Sequence, residues 1–392
     1  MEKNKKLCKI GDLVVFQNGY AFKSSEFITD GNYKVIKIKE LKDGKVRFFQ
    51  DTATVEFKEE YESYIVNKND VLFALTGDPI SKPNPLSWVG RVSLYNSELP
   101  ALLNQRVCKA ICSDEIDSNY LYYYFRQQDV FYSLASKATG SASQANISTK
   151  TISDTDIILP CLDEQKKIVT ILKSLDDKIQ LNNEANFNLE QQAFSIYNSL
   201  FSSDKQPNGV LSDIADITMG QSPSGDSLNE ESGTVFYQGR TDFGFRFPSV
   251  RLYTTEPKRM AVKNDVLLSV RAPVGDINVA IEDCCIGRGL AAIHSKNNRQ
   301  SFVYYTTKSL YRAFDMFNGE GTVFGSINKV ALNSMPIYIP EEKDIDRFEE
   351  LVSSMDKMIL ENHRENINLQ KIRDGLLPKL MSGEIDLTDI DI

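Results

Sequence analysis

Lys68-Asn-Asp-Val-Leu-Phe-Ala-Leu75 and Lys263-Asn-Asp-Val-Leu-Leu-Ser-Val270 share five residues, KNDVL, at an offset of 195 in a chain of 392. Each copy runs into a short apolar stretch, the pattern of a buried strand. The flanks show that the recurrence is part of a longer repeat. Ile10-Gly-Asp-Leu-Val-Val-Phe-Gln-Asn-Gly19 parallels Leu211-Ser-Asp-Ile-Ala-Asp-Ile-Thr-Met-Gly220 at an offset of 201. Trp88-Val-Gly-Arg-Val92 faces Pro273-Val-Gly-Asp-Ile277 at 185, and Tyr120-Leu-Tyr-Tyr123 faces Phe302-Val-Tyr-Tyr305 at 182. From Ile147 and Ile327 onward the offset is 180, pairing Pro160 with Pro340, Asp176 with Asp356 and Asn182 with Asn362. An offset that drifts and then locks describes two lobes with loops of unequal length, each followed by a rigid segment of fixed length.

The lobes read mainly as short strands, at Val35–Ile38, Val71–Leu75, Val107–Ile111 and Ile157–Leu159, then Val266–Val270, Leu290–Ile293 and Ile337–Ile339. One amphipathic helix is expected at about Ser118–Lys137, with a counterpart near Arg299–Phe317.

The rigid segments carry heptad seams. In the first, Ile168, Leu172, Leu175, Ile179, Asn182, Asn186, Leu189, Ala193, Ile196 and Leu200 alternate at spacings of four and three. The second repeats this with Phe348, Val352, Met355, Ile359, Asn362, Asn366, Leu369, Arg373, Leu376 and Leu380. Asp163 is the expected N-cap of the first helix, and Pro378 is expected to kink or end the second. About 38 residues at 1.5 Å each give roughly 57 Å of helix. A seam Asn fixes register at a cost in stability, so Asn182, Asn186, Asn362 and Asn366 are candidate register residues. Antiparallel pairing over the full length puts Asn182 opposite Asn362.

A chain of this length calls for two or three domains, and no apolar run of about 18 residues marks a membrane span. The opening residues lack a signal-peptide pattern, and six scattered cysteines suit a reducing cytoplasm. The net charge of −9 is uneven: residues 1–160 and 207–340 are each neutral, 161–206 carry −2 and 341–392 carry −7. Neutral lobes leave nucleic-acid binding open, because a neutral body can carry a basic face.

Catalytic and metal-binding patterns are missing. No HExxH, GxSxG, P-loop or GxGxxG occurs. The two histidines, His294 and His363, read as surface or packing residues. Cys108 and Cys112 lack a second ligand pair, and the adjacent Cys284 and Cys285 are poorly placed to chelate one ion, so all four read as buried thiols. Asn84-Pro-Leu-Ser-Trp88 is similar to the Asn-Pro-Pro-aromatic box of amino-methyltransferases, but Leu replaces the second Pro, an extra residue precedes the aromatic, and no glycine-rich cofactor loop lies upstream. The chain is not expected to be an enzyme, and no metal or cofactor of its own is expected.

The second seam ends in Leu376-Leu-Pro-Lys-Leu-Met-Ser-Gly-Glu-Ile385, and the first opens with Leu159-Pro-Cys-Leu-Asp-Glu-Gln-Lys-Lys-Ile168. With the duplicated lobe-plus-helix plan, these resemble the specificity (S) subunit of type I restriction-modification enzymes. Gln238-Gly-Arg-Thr-Asp-Phe-Gly244, Ser269-Val-Arg-Ala-Pro-Val-Gly-Asp276 and Cys284-Cys-Ile-Gly-Arg-Gly289 look like that family's target-recognition domain. The second helix opens instead with Pro340-Glu-Glu-Lys-Asp-Ile-Asp346. The resemblance implies an α+β fold: two similar mixed α/β target-recognition lobes in pseudo-twofold repeat, joined by two long antiparallel coiled-coil helices. The expected division is 1–160 first target-recognition domain, 161–203 central spacer helix, 207–340 second target-recognition domain and 341–385 C-terminal spacer helix.

It also implies a role. Each lobe would read one half of a bipartite site on double-stranded DNA. Two modification subunits would methylate adenines with S-adenosylmethionine, and restriction subunits would cleave, using ATP and Mg. Base readout favours Arg, Lys, Asn, Gln, Ser and Thr on loops. The first lobe offers Tyr20, Lys23 and Ser24, then Thr76, Asp78, Lys82 and Asn84, then Ser141, Ser143, Gln144 and Asn146. The second offers Gln221, Ser222 and Ser224, then Arg240, Arg271 and Arg288, then Thr322 and Ser326. Gln165 and Lys167 are candidates for subunit docking. The competing readings are a coiled-coil interaction scaffold without specific DNA readout and a fused methylase–specificity chain, the latter weakened by the missing cofactor loop.

Overall fold

The computed structural model describes residues 6–82, 84–141, 143–202, 205–318 and 325–387. The chain divides into two compact units. One comprises the residues up to Gln180 and those from Asn366 onward, and the other spans Leu181–Glu365. Each unit therefore takes one lobe and a part of each long helix.

The KNDVL copies begin the same strand. In the first unit Val71–Ala74 lies between Val107–Cys112 and Val92–Leu94, antiparallel to both. In the second, Val266–Ser269 lies between Leu290–Ser295 and Ile277–Val279, again antiparallel to both. All four residues of each strand are buried, which accounts for the unbroken apolar run. The polar triplet is a turn. Asn69 and Asn264 sit at φ 72° and 74°, a left-handed conformation that Asn tolerates better than most residues. The Asp70 carboxylate accepts the Asn67 N–H at 2.8 Å, and Asp265 accepts the Val262 N–H at 2.9 Å. Asp thus closes the turn and Val starts the ladder.

A second sheet also repeats. Tyr33–Ile36 runs parallel to Ala101–Leu103, as Thr234–Tyr237 does to Cys284–Ile286. Flanking strands add antiparallel on either side in both units: Thr54–Val55 and Ile65–Val66 in the first, Leu252–Thr254 and Met260–Ala261 in the second.

The single helix expected over Ser118–Lys137 is two, Ser118–Arg126 and Gln128–Ser136. Gln127 adopts an extended backbone (φ −60°, ψ 134°), and its side-chain amide donates to the Tyr124 carbonyl at 3.1 Å, closing the end of the first helix. In the second unit the break falls at Leu310, between Gln300–Ser309 and Tyr311–Asp315.

The long helices span Leu162–Tyr197 and Glu342–Ser382. Asp163 lies inside the first turn instead of capping it, where its charge still suits the helix N-terminus. Pro378 does not end the second helix, which runs on to Ser382. The stop is Gly383, at φ 76°, whose N–H donates to the Leu380 carbonyl at 3.2 Å.

Both units bury their helix segments under the lobe in the same way. Ile168, Val169 and Leu172, with Leu377, Leu380 and Met381, join the core of Val71, Phe73, Cys108 and Tyr120–Phe125. Ala193, Tyr197 and Phe201, with Ile345, Phe348 and Val352, join that of Val266, Leu268 and Phe302–Tyr305. Burial raises the Cys108 and Cys284 thiols to about 12 and Cys112 to about 11, so all three stay protonated and unreactive near neutrality.

A charged anchor accompanies the apolar contact. The Tyr123 hydroxyl donates to Asp176 at 2.8 Å, and Arg373 donates to the same carboxylate at 2.6 Å. The second unit repeats the tyrosine and the aspartate: Tyr305 donates to Asp356 at 3.2 Å. Its arginine comes from a lobe loop. Arg246, 4% exposed, donates to Asp356 at 2.6 Å, faces Glu190, and stacks its guanidinium 3.5 Å from the Tyr304 ring centre. Glu190 also accepts from Tyr304 at 2.7 Å and from Lys308.

The helix segments run antiparallel within each unit, in a register one turn removed from that expected. Asn362 donates to Asn186 at 2.8 Å, and Asn186 donates to the Ile359 carbonyl at 3.3 Å. Asn182 donates to Glu365 at 2.7 Å, so it does not stand opposite Asn362. Of the four candidate register residues, Asn182, Asn186 and Asn366 are buried and Asn362 is half-buried. The expected register came from matching equivalent residues of the two repeats. The observed one lets Asn186 meet Asn362 and Asp176 meet Arg373, satisfying groups that water no longer reaches.

Two predictions follow from these contacts. Asn362→Leu leaves the buried Asn186 carbonyl oxygen without its donor and costs about 1–3 kcal/mol, whereas the Asn186→Leu/Asn362→Leu double variant recovers most of the loss; urea unfolding of the singles and the double checks this. Arg246→Leu takes from Asp356 its cation, leaving the Tyr305 hydroxyl, while Glu190 keeps Lys308; the change costs about 3 kcal/mol, read as a lower transition for the second unit by calorimetry.

Candidate nucleic-acid interface

The end of the sheet at which the Val71–Ala74 strand finishes gathers the first lobe's candidate loops. Gly19 follows the edge strand Val14–Asn18, and a side chain there would collide with the Asn104 carbonyl. Its N–H donates to Val107, the Tyr20 N–H donates to Leu103, and the Gln105 N–H returns a bond to Tyr20. The Leu75 N–H donates to Arg106, and the Ile147 N–H donates to Leu75. Residues 19–20, 104–107, 75–76 and 146–147 are thus laced side by side through their backbones.

Within that framework the candidates divide. Lys23 and Ser24 are exposed, on a turn held by Glu26. The Glu26 carboxylate accepts the Lys23 N–H at 2.7 Å, the Tyr61 hydroxyl at 2.7 Å and the Lys58 ammonium at 3.0 Å. These bonds, Tyr61's foremost, pull its pKa from 4.5 down to about 2. Tyr20 is half-buried among Phe22, Tyr61 and Tyr64, with ring centres 4.9–5.3 Å away. Thr76 is buried, and its hydroxyl donates to Asn146 at 2.8 Å, so it supports the site without facing solvent. The Asn84 carboxamide accepts the Leu86 N–H within its own turn. Asp78 pairs through its backbone with Ser87 and Val89, and the Lys82 carbonyl accepts from Trp88 at 2.8 Å. Ser141, Ser143 and Gln144 are exposed on a hairpin whose second strand, Gln144–Asn146, pairs with Thr76–Gly77.

The second lobe is laced in the same way. The Gly220 N–H donates to Leu290, Gln221 to Ile286, Val270 to Gly289, and Ile327 to Val270. Arg271 bridges to Ser326 through the backbone, and the Arg288 N–H donates to the Ser222 hydroxyl at 3.3 Å. Arg271, Arg288 and Ser326 line one concavity of about 400 Å³. Both arginines are exposed, and among the described residues neither has an acidic partner. Arg240 is exposed but held by an ion pair with Asp276. Gln221 and Ser224 are exposed, and Thr322 lies outside the described residues.

Sequence reasoning missed Gln105 and Arg106, both exposed between the loops it selected. The repeat offset, falling from 185 to 182 across this region, could have pointed from Arg288 back to them. Gln165 is not a surface docking residue. It is fully buried, and its side chain accepts the Asp117 N–H and donates to the Glu115 and Pro160 carbonyls. Lys167 donates to the Leu387 carbonyl at 3.1 Å. His294 bonds Asp265 at 2.6 Å, and His363 packs 4.8 Å from the Phe247 ring centre. Among the described residues no His, Cys, Asp or Glu cluster could hold a metal ion, and no helix is long and apolar enough to cross a membrane.

Duplicated lobes present polar loops from matching strand ends, the arrangement of a recognition module. Comparison with known proteins gives the module its family. A family model described as a type I restriction modification DNA specificity domain matches residues 2–191 and again 208–369. The chain belongs to this family, the DNA-recognition subunits of type I restriction-modification systems, which are generally non-catalytic. It is 28% identical over 403 residues to a putative type I restriction enzyme MjaX specificity subunit from Methanocaldococcus jannaschii, covering 95% of this chain and 91% of that protein. It is 32% identical over 166 residues to the type I restriction enzyme EcoBI specificity subunit from Escherichia coli, covering 41% of this chain and 30% of that one. A crystal structure of a type I restriction-modification S subunit from M. genitalium shares the fold, with a TM-score of 0.59 at 17% identity over 97% of this chain and 96% of that one.

The Glu26 turn makes a prediction of its own. A depressed carboxyl contributes stability above its ordinary value of 4.5 that is lost as pH falls through about 2. Carboxyl NMR should find Glu26 titrating near 2, and Tyr61→Phe should raise that midpoint by removing the foremost bond.

Proposed function

We propose that each lobe reads one half of a bipartite, asymmetric site on double-stranded DNA, through the loops at its strand ends. In this reading the long helices set the unread spacer. Two modification subunits carry the S-adenosylmethionine chemistry that methylates adenines, and restriction subunits, with ATP and Mg, cleave. The chain itself supplies binding, register and choice of sequence, and it acts in the cytoplasm. The observation that carries the proposal is the pair of equivalent loop sets, laced alike and furnished with different side chains. That is the form a reader of two unlike half-sites needs. Arg271 supports it further, as an exposed guanidinium of the kind that pairs bidentately with guanine.

The lobes' net neutrality favours a second reading, an interaction scaffold without specific readout. The two differ in salt and sequence dependence. A scaffold touching DNA only through phosphates binds weakly, independently of sequence, and with a steep loss of affinity in salt.

The deciding experiment is co-expression with the modification subunits, followed by single-molecule mapping of methylated adenines. The expected result is one bipartite motif with a fixed gap, and exchanging either lobe should replace one half of it. A complex that forms and methylates without a motif would refute the specificity role. On a duplex carrying the motif, Arg271→Ala should weaken the complex by about 1–3 kcal/mol, roughly 5- to 150-fold in Kd by fluorescence anisotropy.

A further inference from the structure

The turns Asn104–Val107 and Gly287–Leu290 are the same device in the two lobes. The Val107 N–H closes the first on Asn104 at 2.8 Å, and the Leu290 N–H closes the second on Gly287 at 3.0 Å. Each turn receives three further equivalent bonds. Gly19 donates to Val107 at 3.1 Å and Gly220 to Leu290 at 2.9 Å. Tyr20 donates to Leu103 at 2.8 Å and Gln221 to Ile286 at 2.9 Å. Leu75 donates to Arg106 at 2.9 Å and Val270 to Gly289 at 2.9 Å. The glycines are what let the chains cross so closely, since a Cβ on Gly19 or Gly220 would run into the Asn104 or Gly287 carbonyl. Four matched bonds fix the equivalence of the first central residues, Gln105 in one lobe and Arg288 in the other.

Both side chains are exposed, and among the described residues neither makes a hydrogen bond. Three of the other candidates are already engaged: Thr76 with Asn146, Asn84 within its own turn, and Arg240 with Asp276. An ordered backbone with an uncommitted planar side chain is what base readout requires. The orientation is paid for by the backbone bonds, and the donors and acceptors remain for the base edge. The two side chains have different complements. Gln matches the N6 donor and N7 acceptor of adenine, and Arg matches the O6 and N7 acceptors of guanine.

We propose that this turn is a specificity-determining element of both lobes, with Gln105 reading an adenine in one half-site and Arg288 reading a guanine in the other. The proposal rests on the half-site reading above, and its test separates the two. The full chain is assembled with its modification subunits, and methylated adenines are mapped for wild type, Gln105→Ala, Gln105→Arg, Arg288→Ala and Arg288→Gln. Wild type without a bipartite motif overturns the half-site reading itself.

With the wild-type motif in hand, Gln105→Ala should lose discrimination at one adenine position of one half-site by about 5- to 150-fold. Arg288→Ala should do so at one guanine position of the other half. The untouched half should stay intact in each case. Gln105→Arg should move its position toward guanine, and Arg288→Gln toward adenine. Variants that keep the wild-type motif, or that slow methylation equally at every site without relaxing it, overturn the turn's role while leaving the half-site reading standing. Where an alanine variant fails to assemble, the Arg and Gln exchanges, which retain a long polar side chain, decide in its place.

Discussion

A carboxylate on a long helix, met by a tyrosine from the lobe, fixes the seat of each lobe in its own unit. Asp176 takes the Tyr123 hydroxyl in one unit, and Asp356 takes Tyr305 in the other. Removing a charge from water costs several kcal/mol unless partners replace the lost solvation. A lobe displaced by one helical turn would leave the aspartate without its tyrosine and, in the second unit, without its arginine as well. Apolar contact alone is more forgiving, because Ile168, Leu172, Phe348 and Val352 could slide along the seam with modest loss. Hydrophobic burial thus supplies most of the attraction, and the charged anchor selects one arrangement from it. The arginine that completes each anchor differs in origin. Arg373 comes from the second long helix, and Arg246 from a loop of the lobe. The requirement for a cation is therefore repeated where the residue supplying it is not.

The central strand carries that fixed geometry to the candidate interface. Its first end is set by the KND turn, where Asp70 or Asp265 captures a backbone N–H three residues back. A one-residue slip there would exchange the two faces of Val71–Ala74, moving Phe73 from the core with Cys108 and Phe125 into the one around Ile36 and Leu103. Its far end leads directly into Leu75–Thr76 or Val270–Arg271. The repeat is identical where it sets register, in KNDVL, and diverges where the strand leaves the sheet, in Thr-Gly-Asp against Arg-Ala-Pro. Identity at one end of four residues and difference at the other is what a common scaffold with two recognition surfaces calls for.

This division also explains what the sequence made legible. Strands such as Val107–Cys112 and the heptad seams were readable because their periodicity is local and every residue contributes to it. The helix register was not, because pairing Asn182 with Asn362 used only internal symmetry, whereas the real register is set by cross-helix partners such as Glu365 for Asn182 and Arg373 for Asp176. Gln165 looked like a polar surface residue, but its side chain satisfies three backbone groups beneath the lobe. Gln127 broke a helix that by pattern should have continued, because its own amide could close the end. At the candidate interface the loops were legible from composition, while Gln105 and Arg106 were not. They sit in a short turn without a glycine–proline signature, and only the backbone bonds from Gly19, Tyr20 and Leu75 bring them between the chosen loops.

The charge distribution bears on where the proposed DNA contact would fall. The net negative charge lies in residues 161–206 and 341–392: the two long helices, Leu162–Tyr197 and Glu342–Ser382, carry −2 each, and residues 383–392 carry −4. Paired charges such as Lys173–Asp177, Lys357–Glu361 and Asp176–Arg373 are already counted in that net value. The net negative charge is repulsive toward a duplex bearing one phosphate charge about every 1.7 Å. The lobes are neutral in sum, so their strand-end arginines and lysines need only a local excess to attract the same backbone. Lys23, Arg106, Arg271 and Arg288 are exposed at those ends, and none forms an ion pair among the described residues. On the proposed reading, a duplex would meet net negative charge on the helices and unpaired cations at the loops whose side chains differ between the lobes, so the charge pattern would favour those loops as the reading surface.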